Sequence, residues 1–315
     1  MSDLESPGGD DRDYWDIEVL SEPFTTGSED VGIALARLRD HARQHEWDLV
    51  VGLTELPLRD DTGRYVLFLT DPQRRTAMLS LPAFGGLGMH SRTRDAVRAL
   101  VSGMADPASQ DQHWVPLPRV TGRWRLLSGM VLANRPWLLV PGLKSALVAA
   151  LATGAVATIN STVWQLASSL SWWRLAIATI GSVALVVGWL VIDGELWDHP
   201  DDDSPQARER SRLYNASTLV TLMTGVFICY VALYLVNLAW AYFILDPDVI
   251  GSHAPLGYGH LLILAWFVAS AATVGGGLGS GLATDESIRA ATYSKREQDR
   301  RARLARDPNP EESAE

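Results

Sequence analysis

His41 and His45 stand four residues apart in a helical stretch, the spacing at which two imidazoles can share a metal ion. No third ligand follows nearby, so a solvated helix face is the expectation and no metal site is assigned. Glu55 follows an apolar strand-like stretch and is the best-placed lone carboxylate for acid–base work, with a structural role as the simpler reading. Gly85-Gly86-Leu87-Gly88 could cradle an anion with backbone N–H groups. No lysine follows at phosphate-binding spacing, so a flexible strand-to-helix connection is expected there instead. Glu55, Gly85, Gly86 and Gly88 together make up the candidate pocket. Asp198-His199-Pro200-Asp201-Asp202-Asp203 is rich in ligand oxygens but lacks the glycine and spaced glutamate of a calcium loop, and reads as a solvated acidic loop. The glycine, serine, cysteine and histidine motifs of nucleotide binding, hydrolysis and zinc chemistry are missing, so no catalytic residue and no cofactor is expected.

The elements that would hold these groups form an α+β head over residues 16–117, preceded by a disordered tail at residues 1–15. Ile17–Leu20 reads as a strand. Val31, Ala34, Leu35, Leu38 and Ala42 mark one helix face, with Ser28 as its N-cap. Trp47–Thr54, Arg64–Leu69 and Thr76–Leu81 read as strands, with a turn at Asp60 and Asp61, and Ser91–Met104 reads as a helix. The expected order is strand, helix, three strands, helix, packed as a sandwich. Asp48–Leu56 followed by Ala77–Leu81 resembles the N-terminal half of archaemetzincin-like zinc peptidases. In that family the next helix carries HExxH; here Thr93–Leu100 lacks it, so the resemblance implies a scaffold without the catalytic metal.

Beyond the head lie four apolar stretches, at Gly142–Leu166, Ala176–Ile192, Ser217–Leu245 and Leu261–Ala283. Each is roughly long enough for a helix to cross ~30 Å of hydrocarbon, which takes ~20 residues. They predict an all-α four-helix transmembrane bundle over residues 138–284, masked in the average by polar ends: mean hydropathy is only +0.03. A juxtamembrane amphipathic segment is expected over residues 118–137. There Arg123, Trp124, Arg125, Arg135 and Trp137 suit a lipid interface, with Trp124–Asn134 lying on the surface. Of Lys and Arg, the connection Ala167–Arg174 carries only Arg174 and Asp246–His260 carries none, whereas Asp193–Asn215 carries Arg208, Arg210 and Arg212. The basic-then-acidic tail, residues 285–315, adds seven Lys and Arg between Arg289 and Arg306. Basic flanks stay cytoplasmic, so both termini and the head are expected in the cytosol of a bacterial cell, with the protein in its plasma membrane.

Within the spans, Asn160 and Asn237 are expected to hydrogen-bond between helices, and the lone Cys229 to fill apolar space. Ala265, Ala269, Thr273, Gly277 and Gly281 form a small-residue ridge for packing inside the chain or against another copy. The expected partners are the bilayer, anionic lipid headgroups, and a protein partner or second copy. A net charge of −10 argues against nucleic acid. Leu127–Trp137, Arg212–Ala216 and Gly276–Leu282 resemble a group of actinobacterial four-span membrane proteins, which implies architecture and location without an activity. The resulting expectation is a membrane-anchored binding or interaction module, with a membrane-bound enzyme or a small transporter as alternatives.

Overall fold

The structure, a computed structural model, describes residues 16–20, 31–59, 64–71, 76–86, 88–105, 114–118, 121–200, 203–245 and 258–279. In the head, α1 (Val31–Gln44) is followed by β1 (Val50–Thr54), β2 (Leu58–Arg59), β3 (Tyr65–Asp71) and β4 (Thr76–Ser80). Next come a 3-10 turn at Pro82–Phe84, α2 (Met89–Ala105) and β5 (Trp114–Pro116). The sheet runs β1-β4-β3-β2, with β5 on β3. β1 and β4 are parallel, Val50 opposite Thr76 and Thr54 opposite Ser80; the other pairings are antiparallel. β4 is central and all five of its residues are buried.

Period-2 alternation sorts β4 between the two helices. Met78 joins Leu35 of α1, Leu58 and Val66, whereas Ala77 and Leu79 join Leu100 of α2 and Phe84. Pairing in β3 is irregular between Val66 and Leu69, and the alternation slips there: Val66 and Leu69 share the α1 side, while Leu67 and Phe68 share the α2 side. Two expectations are corrected. Ile17–Leu20 is not a strand; it is irregular, Ile17 and Val19 are exposed, and the segment is tied in where Trp47 Nε1 donates to Glu18 (2.8 Å). The sheet also gains β2 and β5, whose two and three residues are too short to leave a periodic signal.

The helical half contains α3 (Thr121–Ala133), α4 (Leu139–Gly142), α5 (Lys144–Thr158), α6 (Ser161–Ser169), α7 (Trp172–Asp193), α8 (Pro205–Ile244) and α9 (Tyr258–Gly279). Among the described residues, three helices are long and apolar enough to cross a membrane: α7, α8 and α9. A fourth crossing arises if Thr121–Gly142 and Lys144–Thr158, bent by 54°, count as one. The expected first span, Gly142–Leu166, is therefore corrected. Its helix stops at Thr158, and Asn160 takes extended backbone to N-cap α6, accepting from Thr162 N (2.9 Å). Polar side chains in Thr158-Ile159-Asn160-Ser161-Thr162 compete for backbone groups and favour a cap over a continuous helix. Asn160 thus caps a helix rather than bridging two.

α8 contains 40 residues, roughly 60 Å at 1.5 Å each. It absorbs Arg208, Arg210 and Arg212, which the sequence places in a connection. The chain from α3 to α5 runs beside α8 in the same direction. Leu126 and Met130 cluster with Tyr214, Asn134 Nδ2 donates to Thr221 (3.2 Å), Gly225 faces Pro136 and Leu139, and Gly154 faces Asn237. The head and the α8 N-terminus therefore share one end. The opposite end holds α6, where Ala167 packs with Leu245 and Leu261.

Between these ends, Ala146, Val187, Leu222, Val226 and Ala269 belong to one core drawn from α5, α7, α8 and α9. An uncharged polar network crosses it. Trp266 Nε1 donates to Thr179 Oγ1 (2.7 Å), and the Tyr230 hydroxyl lies 3.0 Å from Thr179 Oγ1 and 2.9 Å from Ser270 Oγ.

Candidate functional site

The glycine run after β4 is a structural joint. Pro82 starts the 3-10 turn, and Gly85 ends it at φ 81°, a left-handed conformation that a Cβ would strain. Gly86 N donates to Ser128 Oγ (3.2 Å) on α3, and Gly129 of α3 lies so close to the Pro82 backbone that a Cβ would collide with it. Arg92 of α2 donates to the Phe84 carbonyl (2.8 Å). The expected flexible connection is thereby corrected: Gly85 and Gly86 seat α3 on the head, and Gly88 turns into α2 at φ 69°. Glu55 follows β1, where Leu81 N donates to Thr54 O (2.8 Å) and Ser80 Oγ to Leu56 O (2.9 Å). It is half-buried and engaged with its surroundings. Glu55 and the glycines both follow the carboxyl ends of the parallel pair, yet none of them lines the larger cleft.

That cleft, about 530 Å³, opens where the head meets α3 and the start of α8, between Tyr65, Arg123, Arg208, Glu209 and Arg212. Each wall has a local cause. Tyr65 opens β3, with the Arg59 guanidinium 4.4 Å from its ring centroid and donating to its hydroxyl. Arg123 projects from the first turn of α3, exposed at the flank of the face that buries Gly122, Leu126, Gly129 and Met130. Ser204 caps α8 by accepting from Ala207 N (3.1 Å), and Pro205 fills its first position, so the long helix begins at the cleft. Arg123 pairs with Glu209, and Arg208 pairs with Asp203 at 2.7 Å. Arg212 has no ion-pair partner among the described residues. The connection from α7 is clamped to α8 alongside: Asn215 Oδ1 accepts from Asp198 N (2.7 Å), and its Nδ2 donates to Asp198 O (2.9 Å). Sequence reading missed this cleft because its arginines come from α3 and α8, 85 or more positions apart.

Of the residues expected at the lipid interface, Arg123, Trp124, Arg135 and Trp137 are exposed. Arg125 is half-buried, packed beside Gly85. The apolar side of α3, expected to lie on a membrane surface, packs against Ala83 of the head and Tyr214. Arg135 sits at the break before α4 with φ 50°. On α9, Ala265, Ala269 and Thr273 are buried inside the chain, Gly276 lies against Ala146 and Ala150, and Gly277 against Val186. Gly281, Asp60, Asp61, Ser28, both tails and Asp201–Asp202 lie outside the described residues. His41 stacks on His45 and His45 on Trp47, with centroids 5.8 and 4.6 Å apart. Among the described residues no group of three or more His, Cys, Asp or Glu could hold a metal. No family description, curated protein or solved structure matches the chain.

Proposed function

We propose that this is an integral protein of a bacterial plasma membrane, in which a four-helix transmembrane bundle anchors a cytosolic α+β head that serves as a binding or interaction module. The observation that carries this reading is the outward face of the helices. Ile177, Ile180, Ile192, Leu235 and Phe243 are exposed, with Ile192 and Phe243 at 78% and 82%. So much unpartnered aliphatic surface suits lipid and not water. Indoles bracket it: Trp172 and Trp173 at the far end, Trp189 and Trp197 toward the head. Trp173 and Trp189 stand roughly 24 Å apart along α7, near the depth of a hydrocarbon core.

The orientation rests on Arg208, Arg210 and Arg212 sharing the head's end of α8, while the connection from Asp246 to His260 contains no Lys or Arg. Lys144 starts α5 next to Leu143, which shares a small gap with Val226 and Cys229; its exposed ammonium must snorkel toward the phosphates. That gap measures about 40 Å³, the scale of one water, which favours an anchor over a solute path. Membranes washed at alkaline pH test the reading. The protein should stay in the pellet and need detergent for release; recovery in the wash would contradict it.

A further inference from the structure

We propose that the cleft between Tyr65, Arg123, Arg208, Glu209 and Arg212 binds a phosphate-bearing ligand, supplied by an anionic lipid headgroup or by free phosphate. Three guanidiniums and one carboxylate line it, and Arg59 stands behind the Tyr65 ring. Asp203 offsets part of this charge through Arg208. Arg123–Glu209 and Arg208–Asp203 are exposed ion pairs, the kind a phosphate can exchange readily. Arg guanidiniums match phosphate oxygens in geometry as well as charge. The cleft also receives the N-terminal end of α8, whose dipole favours an anion.

Depth connects the site to lipid. The apolar part of α8 starts at Ser217, so Arg212 lies roughly 7 Å before it along the helix axis. The polar layer of a bilayer leaflet is about 5–7 Å thick, which puts Arg212 at phosphate level. Exposed Trp124, one residue after Arg123, suits the same layer. The lipid source rests on the membrane reading above; the phosphate chemistry does not.

The test uses the purified full chain. One arm places it in nanodiscs of phosphatidylcholine with or without phosphatidylglycerol; the other keeps it in neutral detergent with inorganic phosphate or with chloride at equal ionic strength. Thermal unfolding is followed in each. A midpoint raised by phosphatidylglycerol alone assigns a lipid headgroup, and one raised by phosphate in detergent assigns the free anion. Arg212→Gln should raise the concentration needed for either response by roughly tenfold or more, as loss of a charge-assisted hydrogen bond implies. Glu209→Gln should strengthen the response, which keeps the test decisive should the arginine variant fold poorly. Absence of a response in both arms, equal responses to chloride and phosphate, or a weakened response in Glu209→Gln would overturn the proposal. Failure of the membrane reading would instead show as extraction without detergent.

Discussion

At Gly129 a hydrogen atom decides how closely α3 sits on the head. The Pro82 carbonyl occupies the space a side chain would need, and backbone cannot yield as a side-chain tip can. Gly129→Leu should destabilise this joint by about 1–3 kcal/mol, read as a lower unfolding midpoint and faster proteolysis of the head. Gly85 was visible in the sequence as part of a glycine run, but the reason for the run was not, because Ser128 and Gly129 approach it from more than 40 positions away. A second residue-scale prediction concerns Tyr230. Removing its hydroxyl loses contacts to Thr179 and Ser270, though Thr179 keeps Trp266. Tyr230→Phe should therefore cost about 0.6–2 kcal/mol, measured by unfolding in detergent. In a double-mutant cycle with Ser270→Ala, additive losses would show that the pair is uncoupled.

Helices and strands of the head with a clear period were legible in the sequence. The apolar face of α1 and the stretches that became β1, β3 and β4 were found to within a few residues. β2 and β5 were not, since pairing with β3 rather than local pattern creates them. In the helical half, hydropathy located the apolar stretches but misjudged their continuity. Asn160 turned one expected span into two helices, and α8 extended past its apolar part because Ser204 and Pro205 start it three turns early. The cleft was illegible for a related reason: helix extension moves Arg208 and Arg212 from a loop onto a rigid face opposite Arg123. The small residues of α9 were recognised, and their use is close packing on α5 and α7. Gly276→Leu should force α5 away from α9, because Ala150 and the Ala146 carbonyl fill the required volume. The expected outcome is a lower yield of folded protein and a fall in detergent stability of about 1–3 kcal/mol. Unchanged stability would mean that the two helices do not touch there.

At the scale of the whole molecule, one end of the helices is coupled to the head and the other end faces away. α3 and α8 form that coupling through Tyr214 with Leu126 and Met130, and through Asn134 with Thr221. A head fixed in this way would hold the arginine cleft at constant height above the apolar helices, which a flexible tether would not. The acidic net charge does not oppose this, because local guanidiniums and the bilayer face act within about 8–10 Å at physiological salt. The most direct measurement is labelling of single cysteines by a membrane-impermeant maleimide, with buried Cys229 replaced by alanine. His199→Cys, beside the clamp at the head end, should react only after the cells are permeabilised. Ser169→Cys, at the far end, should react in intact cells. Labelling of His199→Cys in intact cells, with Ser169→Cys protected, would contradict the account.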